Sequence, residues 1–351
     1  MQHNKIITAN KVIYHEEIFP ELSLKLGTVT GFHEQLIQVL DLIDVESIYP
    51  KRTWYGGYGR PPLNHQAILC AFVAKAMLNL STTVDLIERL KVDRVLRGIC
   101  GFDYRSNSIP SESTFSRVFA DLSERGIGDK AHALLVKRHC SEELYEHSAI
   151  DASSIAVAEQ AVKIKTENKK KLTTMDQRDQ TLVEIMHDLP QHCDYGAKRD
   201  SNGNQHVWKG YKLHLAVNEY NVPLASVVTS ASIHDSLVAI PLIRLTEDRV
   251  DVLYYTADKA YDAKPVRDEI RDFGKVDLID FNRRNNKNDT RKFTPQEKTR
   301  YAKRTHSESS FAQIKMNYLP RYILVRGIKK VRCLLSLAIS VITAVQIIKY
   351  A

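Results

Sequence analysis

Two apolar, β-branched runs joined by a tight turn constrain this chain most. HVWKGYKLHLAVNEYNVPLASVVTSAS reads as a hairpin: a strand over 207–218, a turn at Glu219-Tyr220-Asn221, and a strand over 223–229. LYEHSAID (144–151) precedes it as another strand, and VDVLYYTAD (250–258) and VDLIDF (276–281) follow it. A helix is expected near 236–246 despite Pro241, and Asp262 is expected to cap a second one that Gly274 ends. A hairpin followed by strand–helix–strand–helix predicts a mixed α/β sheet with helices on its faces. With 43% hydrophobic and 26% charged residues, the composition excludes wholesale disorder and collagen-like chains.

The first part of the chain reads differently. VTGFHEQLIQVLDLID (29–44) has helical spacing, and the Pro- and Gly-rich stretch 48–62 reads as a loop. LNHQAILCAFVAKAMLNL follows as a long helix, Thr82 and Asp85 make a capping box, and Asp93 can cap a short third helix. Ser111 is expected to cap a helix whose Phe115, Val118, Phe119 and Leu122 share one face, opposite Ser113, Thr114, Ser116 and Arg117. This pattern suits a helix-turn-helix-like DNA reader using Arg117, and equally a plain helical bundle. At 351 residues and about 150 per domain, two domains are expected. They are a helical DNA-binding domain over 1–143 and an α/β domain with a basic C-terminal region over 144–351.

Charge is unevenly spread. Residues 283–351 hold 16 basic and 3 acidic side chains, although the whole chain carries only +8. A polyanion such as nucleic acid is the first candidate partner for that surface, with a simply solvated Lys/Arg face as the alternative. Further lysines, 163, 165, 169, 170 and 171, fall in a polar stretch (156–190) expected to be a basic loop with partial helix. Five scattered cysteines, an odd number without any C-x-x-C, fit a reducing cytosol and no zinc site. MQHNKIITANKVIYHEE has no basic segment followed by an apolar core, so no secretory signal is expected. The longest apolar stretch, Cys333 to Ile348, is shorter than the roughly 18–20 residues of a spanning helix and reads as a buried core helix, not a membrane anchor.

Three acids stand out by position. Asp151 is expected at the end of the first strand and Asp258 at the end of the fourth, where ligands of α/β sheets gather. Two carboxylates delivered there repel each other unless a cation sits between them, and hard oxygen donors suit Mg²⁺ or Mn²⁺. Glu308 is the third. Tyr301, Arg304, Glu308, Phe311 and Lys315 are spaced 3, 4, 3 and 4, which puts them on one stripe of one helix expected over about 298–317. Such a stripe can aim Glu308 at the metal site between the flanking charges of Arg304 and Lys315. The set suits in-line phosphoryl displacement with divalent ions and needs no side-chain nucleophile. Each acid has a simpler reading: Asp151 and Asp258 as strand-end caps, Glu308 as an exposed ion-pair member. His234-Asp235 can cap a helix or help orient a ligand, and Asp235 competes with Asp258 for the second metal role. Asp258 ranks higher because the strand before it is expected to be the more buried.

The order Asp151, Asp258, Glu308 resembles the DDE transposases of bacterial insertion sequences. Tyr301-x2-Arg304-x3-Glu308-x6-Lys315 has the spacing of the Y-R-E-K signature of the insertion-sequence 4 and 5 groups. T-A-D-K-A-Y-D (256–262), H-S-A-I-D-A-S (147–153) and S-I-H-D-S (232–236) are similar to that family's two Asp motifs and its His-Asp segment. Residues 59–120 resemble the helical N-terminal domain of many members. The resemblance implies a ribonuclease-H-like catalytic domain and Mg²⁺-dependent cleavage and strand transfer, with binding to terminal inverted repeats and target DNA by a homodimer in the synaptic complex. It implies Asp151, Asp258 and Glu308 as metal ligands, and Tyr301, Arg304, Lys315 and Lys259 as DNA contacts. Arg283 and Arg284 join these from the basic region. The implied location is the cytoplasm, with the nucleoid. Two other readings stay open: a ribonuclease-H-like nuclease or resolvase that does not join strands, and a catalytically dead, transposase-derived DNA-binding protein.

Overall fold

The computed structural model describes residues 13–50, 64–106, 108–162, 172–199, 203–283 and 290–350. The expected loop at 51–62 and the lysines at 163–171 lie outside these, as do Arg284 and Lys287. Two compact units form: residues 1–135 with 314–320 and 329–351, and residues 136–313 with 321–328.

The first unit is helical. It contains α1 (Phe19–Leu26), α2 (Gly31–Ile43), α3 (His65–Met77), α4 (Thr83–Val92), α5 (Arg94–Ile99), α6 (Glu112–Glu124) and most of α7 (Ile127–Cys140). Local chemistry starts these helices as expected. The Thr82–Asp85 capping box opens α4, and the Asp93 side chain accepts from Leu96 N to open α5. Ser111 precedes α6 but makes no cap bond; its hydroxyl is engaged with those of Ser113 and Thr114. Phe115, Val118, Phe119 and Leu122 face inward, with Phe72 of α3 against both phenylalanines.

The sequence reading places the C-terminal segment with the α/β domain and the boundary at 143/144. The compact units divide within α7 instead, and the long helix at 328–350 groups with the first unit. Its Ser336 and Arg332 bond Asp129, at 2.5 and 2.6 Å. A β-carbon on Gly128 would stand 2.9 Å from Cys333 O, so only glycine allows this approach. The helix, at 23 residues, is long and apolar enough to cross a membrane by length and composition, but 78% of its apolar window is buried, as in a core helix.

The second unit is built on a six-stranded mixed sheet: β1 (Leu144–Ala156), β2 (Asp194–Arg199), β3 (Gln205–Val217), β4 (Pro223–Ser230), β5 (Asp251–Ala257) and β6 (Val276–Ile279). β3 is antiparallel to β1, β2 and β4, whereas β1, β5 and β6 run parallel. This is the expected ribonuclease-H-like α/β arrangement, with α8 (Thr174–Asp179), α9 (Leu182–Asp188), α10 (Ser236–Glu247), α11 (Lys264–Asp272), α12 (Pro295–Ala302) and α13 (Thr305–Gln313) around it. The hairpin turn forms where expected: Asn218 Oδ1 accepts from Tyr220 N and Val222 N, and Asn221 takes a φ of 60°. Pro241 sits inside α10 because the carbonyl it orphans, that of Leu237, accepts from Gln177 Nε2 at 2.8 Å.

Other expectations change. β1 continues to Ala156 because β3 pairs with it that far, so Asp151 lies within the strand and not at its end. β2, short and polar, carries no alternation from which to expect it. Asp262 does not cap α11; it takes Arg267 Nε at 2.8 Å and Asn282 N at 2.7 Å. The helix expected over 298–317 is split. Bonds from His306 N to Lys303 O and from Ser307 N to Arg304 O tighten the chain between α12 and α13, and a π-helical turn follows at Ile314–Tyr318.

Candidate active site

The parallel pairing of β1 with β5 brings the two aspartates together. Its register ends at Ile150 opposite Ala257, so Asp151 and Asp258 follow at the same level on strands about 4.8 Å apart. Side chains alternate along a strand, so His147, Ala149 and Asp151 share a face with Tyr254, Thr256 and Asp258. The extended backbone at Asp258 (φ −75°, ψ 174°) carries that alternation past the end of β5. α13 packs on the same face: the His306 ring lies 5.3 Å from that of His147. α10 covers the opposite face, where Glu247 accepts from Tyr255 Oη.

Both carboxylates are anchored locally. Asp151 Oδ1 accepts from Ala152 N at 2.8 Å, and Asp258 Oδ1 from Ala260 N at 2.9 Å. Burial pushes the Asp151 carboxyl up to about 6; Asp258 beside it adds to the rise, while Lys198 and Arg304 oppose it. Below the pair, Tyr261 is 1% exposed and its hydroxyl has no hydrogen-bond partner. Burial, and then the fields of Asp235, Asp151 and Asp258, hold that phenol well above its usual range. Two adjacent carboxylates, the Asp151 one raised, with an orphaned buried hydroxyl nearby fit a divalent cation: hard oxygen donors whose repulsion a cation would relieve.

Glu308 is not drawn into the pair. Its side chain is 53% exposed, and Oε1 accepts from Arg304 Nη2 at 2.7 Å. Among the described residues, no three His, Cys, Asp or Glu side chains are grouped to hold a metal ion. The split between α12 and α13 also breaks the expected single stripe. Tyr301 ends in α12, Arg304 lies at the junction and Glu308 in α13. Lys315 lies in the π-helical turn, which groups with the first unit. Tyr301 remains beside the acids: its phenol is raised by burial first, then by Asp280 and Asp258, against Arg304.

The remaining candidates divide. Lys259, in the turn after Asp258, lines an open groove of about 640 Å³ with Arg283, Arg291, Lys292, Phe281 and Phe293. Arg284 lies outside the described residues. Arg117 is exposed on α6 in the first unit, bonded to Ser113 O and Thr114 Oγ1. His234 Nδ1 bonds Ser236 Oγ at 2.8 Å, the helix-capping alternative. Asp235 is taken by Lys212 Nζ at 2.9 Å. No role for Tyr261, Lys212 or His147 follows from residue type or spacing alone. Tyr261 and His147 fall inside the quoted acidic motifs, but their burial has no sequence signal. The His147 ring stacks on Tyr254 at 5.6 Å, both of its nitrogens are unpartnered, and burial pushes it down to about 4.

Comparison with known proteins identifies the family. A family profile described as "Transposase DDE domain" matches residues 142–343, more than half of the chain. A second, described as "Transposase domain (DUF772)", matches residues 28–121. No curated protein and no solved structure matches.

Proposed function

The chain belongs to the transposase DDE-domain family and is a DNA transposase, an enzyme of DNA phosphoryl transfer, and we propose that its chemistry runs at Asp151, Asp258 and Glu308 with Mg²⁺ or Mn²⁺. The observation that carries this reading is the register that sets Asp151 and Asp258 side by side on neighbouring parallel strands. When bound, divalent ions activate the attacking oxygen and neutralise charge on the leaving oxygen. Asp151 and Asp258 would hold them through their carboxylate oxygens. Glu308, on α13, would supply the third carboxylate.

The rest of the site handles DNA. Lys259, Arg283, Arg291 and Lys292 engage backbone phosphates in the groove beside Asp258; Arg284, outside the described residues, adds its positive charge to the same partner. Tyr301 packs on Phe293, which packs on Phe281, a row of rings against which terminal nucleotides can rest. Lys315 and Arg117 bind further along the element's terminal repeats. In the first step a water oxygen attacks the phosphorus at the element's end, leaving a 3′-hydroxyl and a 5′-phosphate. In the second, that hydroxyl attacks a target phosphodiester and displaces the target's own 3′-oxygen. Each copy carries one acid pair, so joining two ends calls for two copies, a homodimer on paired ends. The reaction takes place where the DNA lies, in the cytoplasm. His234 and Asp235 support the site from the loop before α10, Asp235 by holding Lys212.

The test is incubation of the protein with its element's end DNA, target DNA and Mg²⁺, scoring nicked and joined products. Asp151→Asn, Asp258→Asn and Glu308→Gln are each expected to lower cleavage by at least about a thousandfold while end binding is retained. Loss of end binding in all three would make the acids structural. Nicked products without joined ones would favour the nuclease reading.

A further inference from the structure

We infer that Arg304 is a latch that holds Glu308 away from the Asp151–Asp258 pair until a DNA phosphodiester takes the guanidinium. The inference rests on the reading of those aspartates as cation ligands and adds a substrate-controlled step to it.

Three observations point the same way. Glu308 is bound to Arg304 at 2.7 Å while the two aspartates stand together without it. Arg304 lies close enough for its charge to act on Asp151 as well as on Glu308. It therefore competes with a cation for the same acids. Arg304 lies at the junction before α13 and Glu308 in its first turn, four residues on, so the contact between them is made by side chains alone and a competing anion can take the guanidinium.

Energetics make the latch reversible. An i,i+4 ion pair with an exposed carboxylate is weak and screened by water. A phosphodiester offers the guanidinium two oxygens in the fork geometry that arginine matches best. DNA thus outcompetes Glu308 for Arg304 and frees a third carboxylate to complete the site. The consequence is a cation site incomplete in free protein and completed by substrate, which limits stray hydrolysis. α13 need not shift, because it is seated by the His147–His306 contact and by Ser310 Oγ on Asn221 O.

The test is Mn²⁺ binding to the full chain, measured by electron paramagnetic resonance without DNA and with a short duplex whose own Mn²⁺ uptake is subtracted. Without DNA, Glu308→Gln is expected to leave the affinity of the wild-type chain unchanged. With DNA, the same substitution should weaken it about tenfold, the effect of losing one carboxylate donor. Arg304→Gln should tighten DNA-free binding about tenfold, and Arg304→Gln/Glu308→Gln should abolish that gain. A gain that persists in the double variant reports only the removed positive charge and overturns the latch. So does a DNA-free loss in Glu308→Gln alone, which does not depend on how the Arg304 variants fold. Asp151→Asn separates the two readings. If it leaves Mn²⁺ binding unchanged, the acid-pair assignment fails; if it weakens binding while the Glu308 and Arg304 results go against expectation, only the latch fails.

Discussion

Asp151 and Asp258 occupy the same level of two adjacent parallel strands, one residue beyond the last paired positions, Ile150 and Ala257. Burial at that level raises the Asp151 carboxyl from 3.8 to about 6, and the neighbouring Asp258 charge adds a smaller push in the same direction. That single relationship links the topology of the sheet to the capacity of the site to take a cation.

Stability should register this directly. A carboxyl raised in the folded state binds its proton more tightly there than in the unfolded chain, so its ionisation weakens the fold as pH rises from about 4 through about 6. In metal-free buffer, Asp151→Asn removes that penalty and is expected to stabilise the protein by roughly 1–3 kcal/mol at pH 7.5. Near pH 3.5 the gain should vanish. Urea melts at the two pH values check it; an equal effect at both would mean that ionisation is not the cause.

Two buried histidines should govern the acid side. Burial pushes His147 down to about 4 and His214 down to about 3, so both are neutral in the fold at pH 6. The unfolded chain protonates them first, near the usual 6.5, and stability falls as pH drops from there toward 4. Both nitrogens of His147 lack partners, so His147→Phe forfeits no hydrogen bond there while keeping a ring against Tyr254. It is expected to move the acid-unfolding midpoint to lower pH, as followed by circular dichroism. A midpoint that rises or stays put would contradict this.

Gly210 marks where β3 passes from pairing with β2 to pairing with β1, opposite Asp194 and Ala156. Its φ is +151°, and an added β-carbon would lie 2.1 Å from Ile155 O, a backbone atom that cannot move aside alone. Gly210→Ala is expected to cost about 2–3 kcal/mol in denaturant unfolding. Gly203→Ala is the contrast in space alone: its added β-carbon meets nothing within 4 Å, although its φ of +85° also favours glycine.

DNA affinity should depend steeply on salt. Replacing Arg283, Arg291 and Lys292 with glutamine is expected to reduce the slope of log affinity against log salt by about 0.9 for each phosphate contact removed. Fluorescence anisotropy across a salt series measures it; an unchanged slope would place the phosphate contacts elsewhere.

Much of this architecture is written locally. The Thr82–Asp85 box, the Asp93 cap and the Asn218–Asn221 turn each involve partners within four residues, so composition at those positions suffices to predict them. The acids, and the basic run after residue 282, are likewise visible as residue types in order. β2 was not foreseeable, because its place depends on β3 and on the packing of Gly196 against Trp208, whose Cζ2 would stand 2.3 Å from an added β-carbon. The even spacing from Tyr301 to Lys315 suggests one helix, but i to i+3 bonds at 303–307 break it, and helical periodicity carries no signal of such tightening.

Residue order alone establishes which elements form, which acids are on offer and where positive charge accumulates, since these follow from short-range chemistry. Long-range assembly sets the rest: the register that pairs Asp151 with Asp258, the burial that raises Asp151 and strands the Tyr261 hydroxyl, the capture of Glu308 by Arg304, and the grouping of the C-terminal helix with the first unit. Register, burial and side-chain choice depend on atoms distant in the chain, and no local pattern encodes which of them will meet.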